Sequence, residues 1–271
     1  MPIEASRTRV AVRRPPGGGR AVVSLETSGP PDRPVIRPML LSADASGAAI
    51  SLVPEGALLL AGDAVEIDVS VGAGARLELQ EPAGTVAYAM AGGSASWAVT
   101  ITLGSAASLV WAGEPFVVAA DANVTRTTRV RLGWGAMLAL RETLVLGRHD
   151  EAPGCIRQDF AAIGQNDVPL LSESLDAGPE AGPLLMGGMR VLGSVLTLGY
   201  RTHRAAVSPG VAHLDLAGMG TMARALAHQV HDVDLGGTWD AARRELVSQP
   251  GRSAPESRTP DCQPQPGTRP G

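Results

Sequence analysis

The feature that most constrains the fold of this 271-residue chain is a short pattern that recurs about every 30 residues. Each copy has alternating apolar residues, then a glycine, then two or three small residues, and then alternating apolar residues again. The glycines of the copies are Gly72, Gly104, Gly133 and, in a weaker copy, Gly164. They lie 32, 29 and 31 positions apart, and this regular spacing indicates a repeated structural unit.

Alternation with a period of two residues predicts β-strands that each bury one face. We expect the glycine of each copy to supply the positive φ of a tight turn. Units of this length that stack on one another predict a mainly β protein, with elongated, β-solenoid-like layered sheets. Ordinary antiparallel hairpins with similar turns are the alternative, and both arrangements make residues 20–216 mostly strand.

The two ends of the chain differ in composition from the middle. Residues 1–19 contain an Arg-Arg-Pro-Pro-Gly-Gly-Gly run, which predicts a flexible N-terminal arm. Residues 249–271 carry six prolines among polar residues and predict a disordered tail, in which Cys262 is incidental. Residues 20–248 are therefore expected to form the folded β domain.

Two helices are predicted at the C-terminal end of this domain, within about residues 218–248. Between Gly220 and His231, three apolar residues recur every four positions, a spacing typical of an amphipathic helix. A second helix is expected over Trp239–Val247, with Thr238 as its N-cap. The predicted fold is thus a β body with a small helical cap.

Charge restricts the kind of partner. All 23 basic residues are arginine and the net charge is −4. Residues 38–249 carry 13 arginines against 22 acids, which argues against nucleic acid as the main partner. An acidic body suits a cationic partner surface or a metal ion in transit, or is simply a solvated surface.

Hydropathy and cysteine content restrict the compartment. No run of 18 uncharged apolar residues occurs, so no membrane-spanning helix is expected. The first residues lack a basic segment followed by an apolar one, so we expect a cytoplasmic protein with no secretory signal. Two cysteines, Cys155 and Cys262, are too few for a disulfide scaffold or a zinc knuckle.

The motifs of common enzymes are missing. The chain has no phosphate-binding loop of the Gly-Lys-Ser/Thr type and no Gly-x-Ser-x-Gly elbow. His228 and His231 have a spacing that can share a metal, but no third ligand has a matching position, and a polar helix face is the alternative. Cys155 could act as a nucleophile only with a histidine brought close by the fold, and a structural thiol is the simpler interpretation.

Two acidic positions leave alternatives open. Asp63 ends the segment Leu58–Gly62 between two apolar strands, where Gly-Asp is ordinary turn chemistry and a buried acid is the functional alternative. The Arg148–Glu151 segment, Arg-His-Asp-Glu, could form a catalytic or ion-binding loop, or a turn closed by local ion pairs.

Taken in order, these segments resemble the urease accessory protein D family. The resemblance covers about residues 20–248 and rests on the order and spacing of several weak boxes. They are the Gly-rich Asp box Glu55–Asp63, the strand, Gly-Ala turn and Gln segment Val69–Gln80, the strand and Pro turn Leu103–Phe116, the Leu-Gly-Arg-x-x-Glu box Leu146–Glu151, and the Trp-x-x-x-Arg segment Trp239–Arg243. The chain departs from the family at Ala61, where a glycine is usual, and at Gly84–Tyr88, which lacks the usual basic residue.

The resemblance implies a scaffold or chaperone rather than an enzyme. Members of the family bind apo-urease and the urease accessory proteins F and G, have an elongated β fold with a pair of helices, and are proposed to pass nickel through an internal tunnel. Nickel would then be a transient cargo, with no tightly bound cofactor. Candidate residues for the nickel path or a partner interface are Asp63, Glu114, Glu142, Arg148 and Glu151, each of which could instead close a turn or an ion pair.

Two other functions stay open at this stage. A β-solenoid hydrolase acting on polysaccharide would need paired carboxylates on adjacent coils and aromatic platforms. Two Tyr, two Phe and four Trp are few for sugar stacking. A generic β binding module without a nickel role is the second alternative.

Overall fold

The computed structural model describes residues 4–202 and 209–248 of the chain. The predicted disordered tail, residues 249–271, lies outside the described residues, as do Cys262 and His203. The described chain is mainly β, with two α-helices, α1 (Ala181–Leu185) and α2 (Gly236–Ser248). The strands are β1 (Ser6–Arg13), β2 (Val22–Ser28), β3 (Ile36–Ala43), β4 (Gly47–Pro54), β5 (Ala64–Val71), β6 (Arg76–Gln80), β7 (Thr85–Ala87), β8 (Ala95–Leu103), β9 (Ser108–Val118), β10 (Asn123–Leu132), β11 (Met137–Leu146), β12 (Cys155–Ile163), β13 (Pro169–Ala177), β14 (Val191–Leu198), β15 (Val211–Asp215) and β16 (Gly220–Ala227).

The strands form two sheets. Sheet A has the order β13-β12-β10-β8-β5-β1-β2, and sheet B has the order β15-β16-β14-β11-β9-β6-β4-β3, with the short β7 beside β9. In the middle of each sheet the neighbours are parallel, because the chain alternates between the sheets and adds one coil at each passage. The outer strands pair antiparallel, mostly as hairpins, and in sheet B β14 also lies antiparallel between β11 and β16. The predicted solenoid-like arrangement is confirmed, and hairpins are confined to its ends.

The repeated glycines lie in the turns that lead from sheet A to sheet B. The turns after β5, β8 and β10 stack on one another and are joined by backbone hydrogen bonds, such as Gly104 N to Val71 O at 2.8 Å. A Cβ on Gly104 would lie 2.8 Å from Ala73 N, and one on Gly133 would lie 2.8 Å from Ser105 N. The repeat therefore needs glycine for close approach between turns.

Positive φ occurs two residues later in these turns, which corrects the expected role of the repeated glycine. The left-handed residues are Gly74, Ala106 and Gly135, with φ of 65°, 56° and 62°. The fourth, weaker copy at Gly164 is not a coil at all. It begins the turn between β12 and β13, which pair as an antiparallel hairpin and end the parallel part of sheet A.

Replacing Gly133 by alanine is expected to lower the free energy of unfolding by about 2–3 kcal/mol, because the Cβ would overlap backbone atoms that the stacked turns hold in place. Urea unfolding followed by circular dichroism measures this. The control is Gly237→Ala at the start of α2, where a Cβ meets no atom within 4 Å, and its stability should be unchanged or slightly raised. Equal stability of the two variants would contradict the stacking role.

The expected N-terminal arm is wrong over most of its length. Residues 6–13 form β1, which lies inside sheet A between β2 and β5, and Val10 and Val12 are each 1% exposed. The proline and glycine run forms the loop between β1 and β2. Thr8, Val10 and Val12 alternate with polar residues, which is ordinary strand patterning. The breaking effect of the proline and glycine run extends only to the loop and not to the strand before it.

The first of the two predicted C-terminal helices is also wrong. Gly220–Ala227 is strand β16, and only the short 3₁₀ turn Val230–Asp232 follows it. Both faces of β16 are covered, with Met222 in the core between the sheets and Ala223 and Ala225 under α2, so its sequence shows no clean period of two. The second predicted helix is confirmed as α2, which begins at Gly236 rather than after an N-cap at Thr238.

The main core lies between the two sheets, and a second apolar cluster lies on the outer face of sheet B. There α2 packs Trp239, Ala242 and Leu246 onto β11 and its neighbours. The Tyr200 hydroxyl donates a hydrogen bond of 2.9 Å to the carbonyl of Ala242, which fixes the position of the helix. None of the helices in residues 4–202 and 209–248 is long and apolar enough to cross a membrane.

Candidate functional site

Charged side chains point into the core between the sheets, where a solenoid of this type would otherwise be apolar. On β10, Arg126 occupies the inward phase of the alternation, between Val124 and Thr128. On β11, Glu142 occupies the same phase between Leu140 and Leu144. We use the name polar seam for the six charged or amide side chains that line this part of the core, which are Glu81, Arg126, Glu142, Gln158, Glu173 and Arg224.

Strand register aligns the seam across several coils. In sheet A, Arg126 lies beside Trp97 of β8 on one side and Gln158 of β12 on the other. In sheet B, Glu142 lies beside Ser194 of β14, which in turn lies beside Arg224 of β16. Arg126 and Gln158 therefore lie in one row of sheet A, and Glu142 and Arg224 lie in one row of sheet B across the core from it. Glu173 lies beside Phe160, two residues along the strand from the row of Gln158.

Arg126 makes the central contacts of the seam. Its guanidinium forms an ion pair with Glu142, donates a hydrogen bond of 3.1 Å to Gln158 Oε1, and lies over the Phe116 ring with 5.0 Å to the centroid. The Arg126 and Glu142 side chains are only 12% and 19% exposed. A second ion pair, between Arg224 and Glu173, continues the seam toward the C-terminal end of the stack.

Glu81 begins the other end of the seam, where sheet B has a gap. Strand β6 ends at Gln80 and β7 begins at Thr85, and the neighbouring strand β9 carries a bulge opposite this gap. Glu81 accepts hydrogen bonds from Trp111 Nε1 at 2.9 Å and from the backbone N of Glu114 at 3.1 Å. Burial raises the pKa of the Glu81 carboxyl, and these two bonds act against that rise.

Two small cavities follow the seam. The first, of about 30 Å³, is lined by Trp97 and Trp111 together with Glu81, Arg126 and Glu142. The second, also of about 30 Å³, is lined by polar and apolar residues that include Arg126, Glu142, Gln158, Glu173 and Arg224. Each has room for one or two water molecules. Arg126 and Glu142 line both cavities and so form the partition between them.

Glu114 and Arg141 lie beside the seam, at the bulge of β9. Arg141 Nη2 donates a hydrogen bond of 3.3 Å to Glu114 Oε1 and its guanidinium lies over the Trp239 ring of α2, 5.5 Å from the centroid. Both residues also line the first cavity. We call this part of the seam, at the gap between β6 and β7 in sheet B, its mouth. The C-terminal helix is thereby linked to the mouth of the seam through Arg141.

Asp63 lies at a corner of the stack, between β4 and β5, and not in the seam. Its side chain is 4% exposed. The carboxylate accepts hydrogen bonds from the backbone N of Leu60 at 2.8 Å and from Arg33 Nη1 at 2.5 Å. Asp63 is thus buried and closes its turn, and a functional role for it stays a prediction.

Arg148 and Glu151 form an ion pair with a closest approach of 2.8 Å in the corner between β11 and β12. Glu151 also accepts a hydrogen bond of 2.9 Å from the backbone N of Arg148. The Arg148 side chain is the main reason that the pKa of Glu151 is lowered to about 2. The segment therefore has the geometry of a turn closed by local ion pairs.

Replacing Glu151 by glutamine is expected to lower the free energy of unfolding by about 1 kcal/mol at pH 7, a modest value because Arg148 is largely exposed. The folded pKa of about 2 lies below the ordinary 4.5, so the carboxylate stabilises the fold above pH 4.5 and this is lost between 4.5 and 2. Urea unfolding from pH 7 downward should show the gap to wild type closing as the pH falls. Arg148→Met should behave alike, and a gap that stays constant with pH would contradict the assignment.

The histidine and cysteine candidates do not assemble into a site. His228 follows β16 and His231 lies in the 3₁₀ turn beside Asp232, so the two are not on one helix face. Cys155 is exposed at the first residue of β12, and the nearby His149 pairs with Asp150. Within the described part of the chain no group of three or more His, Cys, Asp or Glu residues is placed to hold a metal ion.

Comparison with known families shows to which family the chain belongs. The family model described as UreD urease accessory protein matches residues 5–258. The chain belongs to the UreD urease accessory protein family. The match extends through β1, the strand that the sequence interpretation had placed in a flexible arm.

Curated UreD proteins from actinobacteria are similar over most of the chain. Urease accessory protein UreD 1 of Streptomyces griseus is 43% identical over 196 residues, covering 70% of this chain and 73% of that protein. UreD of Frankia casuarinae is 38% identical over 221 residues, 69% of each chain. UreD of Streptomyces avermitilis is 31% identical over 231 residues, covering 81% and 89%. Membership of the UreD family implies a role in urease maturation, and the relatives are accessory proteins rather than enzymes.

Five of the six residues of the UreD seam were not found from the sequence alone. Four of them carry a signal, because each interrupts a series of residues at alternate inward positions, as Glu173 does between Leu171 and Leu175 on β13. A charged or amide side chain at an inward position is rare in a strand core and marks a buried polar site. The four are Arg126, Gln158, Glu173 and Arg224, and Glu81 was missed because it lies just past a strand end.

Proposed function

We propose that this UreD protein is a cytoplasmic scaffold that binds apo-urease and the urease accessory proteins F and G, and that its polar seam is the path by which nickel reaches the urease active site. Family membership supports the partners, and the seam supports the path. In this proposal nickel is a passing cargo, and the protein holds no permanent cofactor and performs no catalysis.

The observation that carries the nickel path is a row of charged side chains through the core of a solenoid. Burying ion pairs such as Arg126–Glu142 removes both groups from water, and apolar residues of similar size at these positions are often as stable or more stable. Stability alone therefore gives little reason for a charged core. Passage of a charged cargo gives one, because a cation cannot cross an apolar interior without polar groups along its way.

The chemistry of the seam suits passage better than storage. Carboxylates are ligands for divalent transition metals, and Glu81, Glu142 and Glu173 offer them in succession. Arginines alternate with these acids, at Arg126 and Arg224, and their positive charge weakens the hold of each carboxylate on a cation. A cation would thus meet several weak sites and no tight one.

In this proposal the seam is closed when the protein is alone, and the small size of the two cavities supports this. Cavities of about 30 Å³ hold one or two waters, whereas a small divalent cation usually keeps several waters around it. Nickel can pass only when the seam widens or when carboxylates replace its waters in turn. Binding of the partner proteins is the natural event to cause this.

The scaffold part of the proposal is tested by co-expression with tagged accessory protein F and with accessory protein G, followed by gel filtration with and without apo-urease. We expect a defined complex that elutes together and supports GTP-dependent activation of apo-urease by nickel. A folded chain that elutes alone in the presence of all three partners would overturn the proposal. A generic β binding module, or a glycan-directed protein detectable in a glycan screen, would then remain.

A further inference from the structure

We propose that Arg126 is the residue that keeps free cations out of the polar seam until the seam is opened. This inference rests on the proposed function, and it concerns the closed state of the same path. It assigns to one side chain the property of excluding metal ions in the absence of partners. Its basis is the position of the guanidinium, the groups that hold it there and the atoms that it presents to the first cavity.

Position is the first argument. Arg126 and Glu142 line both cavities, so any ion that moves from one cavity to the other must pass this pair. The guanidinium cannot lose its positive charge at any physiological pH. It is held from three sides, by the Glu142 carboxylate, by Gln158 Oε1 and by the face of the Phe116 ring. A fixed positive charge therefore lies at the partition between the two cavities.

The hydrogen-bond inventory is the second argument. Arg126 Nε and Trp97 Nε1 are buried and have no hydrogen-bond partner among the described residues, and both residues line the first cavity. Trp97 is 5% exposed. Both atoms are donors, so a group that meets either of them must accept a hydrogen bond. A water molecule can accept one, whereas a metal cation cannot.

The charge on the opposite side is the third argument. The Glu142 carboxylate, the natural ligand for a cation at this point, is already taken by Arg126. A movement of Arg126 away from Glu142, Gln158 and Phe116 would remove the positive charge from the partition and free the carboxylate at the same time. Closure and the provision of a ligand are thus two states of a single ion pair.

The experiment uses the full chain and Ni²⁺ alone, without partners, and measures quenching of tryptophan fluorescence by the metal. Trp97 and Trp111 line the first cavity, while Trp239 lies on α2, buried against the outer face of sheet B, and contributes the same background to every variant. Trp134 is 41% exposed, so all variants are made in a Trp134→Phe background. Far-UV circular dichroism and urea unfolding show that each variant keeps its fold.

Arg126→Gln should raise the quenching constant at least about threefold, because the barrier is removed and Glu142 is freed. Glu142→Gln keeps the positive charge and should stay at or below the wild-type value. The double variant R126Q/E142Q leaves no unpaired charge, and its quenching should lie between that of R126Q and that of wild type. Arg7→Met, on the outer face of sheet A beside Glu66, is the matched control and should equal wild type.

Two results would overturn the inference. The first is unchanged quenching in a folded R126Q variant, or in the double variant should R126Q alone not fold. The second is a rise in R126Q that disappears in the double variant, since this would mean that free Glu142 captures the metal and that Arg126 is no barrier. Because urease and its partners are absent, a failure of the proposed maturation role leaves this result unaffected.

Discussion

Replacing Arg126 by methionine and Glu142 by leucine together is expected to abolish the activation of apo-urease by nickel without weakening the fold. The two apolar side chains fill the space of the ion pair, so the free energy of unfolding should be unchanged or higher by up to about 4 kcal/mol. A dry, apolar partition excludes a cation, and activation in a co-expression assay should fall at least about tenfold. The two measurements are urea unfolding of the isolated chain and urease activity with its nickel content.

The matched control for this double variant is Arg7→Met with Glu66→Leu, which removes an ion pair from the outer face of sheet A. It should activate urease as well as wild type does. The single variant Glu142→Leu gives a second check, because it leaves Arg126 buried without its partner. That single variant should lose about 3–5 kcal/mol of stability, much more than the double variant. Full activation by the folded double variant would show that nickel does not use the seam.

Replacing Trp239 by alanine is expected to lower the free energy of unfolding by about 3–5 kcal/mol, the largest loss of stability expected from one exchange on α2. The indole is 5% exposed, packs in the cluster on the outer face of sheet B and lies under the Arg141 guanidinium. Its removal leaves a cavity between helix and sheet and frees Arg141, which is also paired with Glu114 at the mouth of the seam. Urea unfolding, followed by circular dichroism, measures the loss.

Val247→Ala is the control on the same helix, because Val247 is 56% exposed and its truncation removes little buried surface. It should change the free energy of unfolding by less than about 0.5 kcal/mol. A Trp239→Ala variant as stable as this control would mean that α2 is not docked on sheet B in solution. The proposed link between the helix and the mouth of the seam would then fail as well.

The repeat predicted the solenoid from sequence because its two signals are physically simple. Period-two alternation marks strands with one face in the core. Glycine at a fixed spacing marks turns that stack so closely that a Cβ would lie only 2.8 Å from a backbone atom of the neighbouring turn. The ends of the stack were harder to predict. The proline and glycine loop that follows β1 made the whole N-terminal segment resemble a flexible arm. Strand β16 is covered on both faces, so it lacks the alternation of the central coils.

The candidate site was predicted only in part. Glu142 lies in the seam and Glu114 lies beside it, whereas Asp63, Arg148 and Glu151 lie at the corners of the stack, where they close turns. What separates the seam residues from the turn residues is whether the side chain lies at an inward position of a strand. Arg126 and Glu142 meet across the core because of the way the two sheets face each other. A local pattern along one strand does not contain that information.

The measurement that tests the central claim most directly is transfer of radioactive nickel from accessory protein G to apo-urease in a purified complex, in the presence of a chelator too large to enter the seam. Transfer should need GTP, resist the chelator with the wild-type chain, and fall at least about tenfold with the R126M/E142L variant. Transfer that the chelator abolishes, or that the seam variant supports at the wild-type rate, would contradict an interior path for nickel.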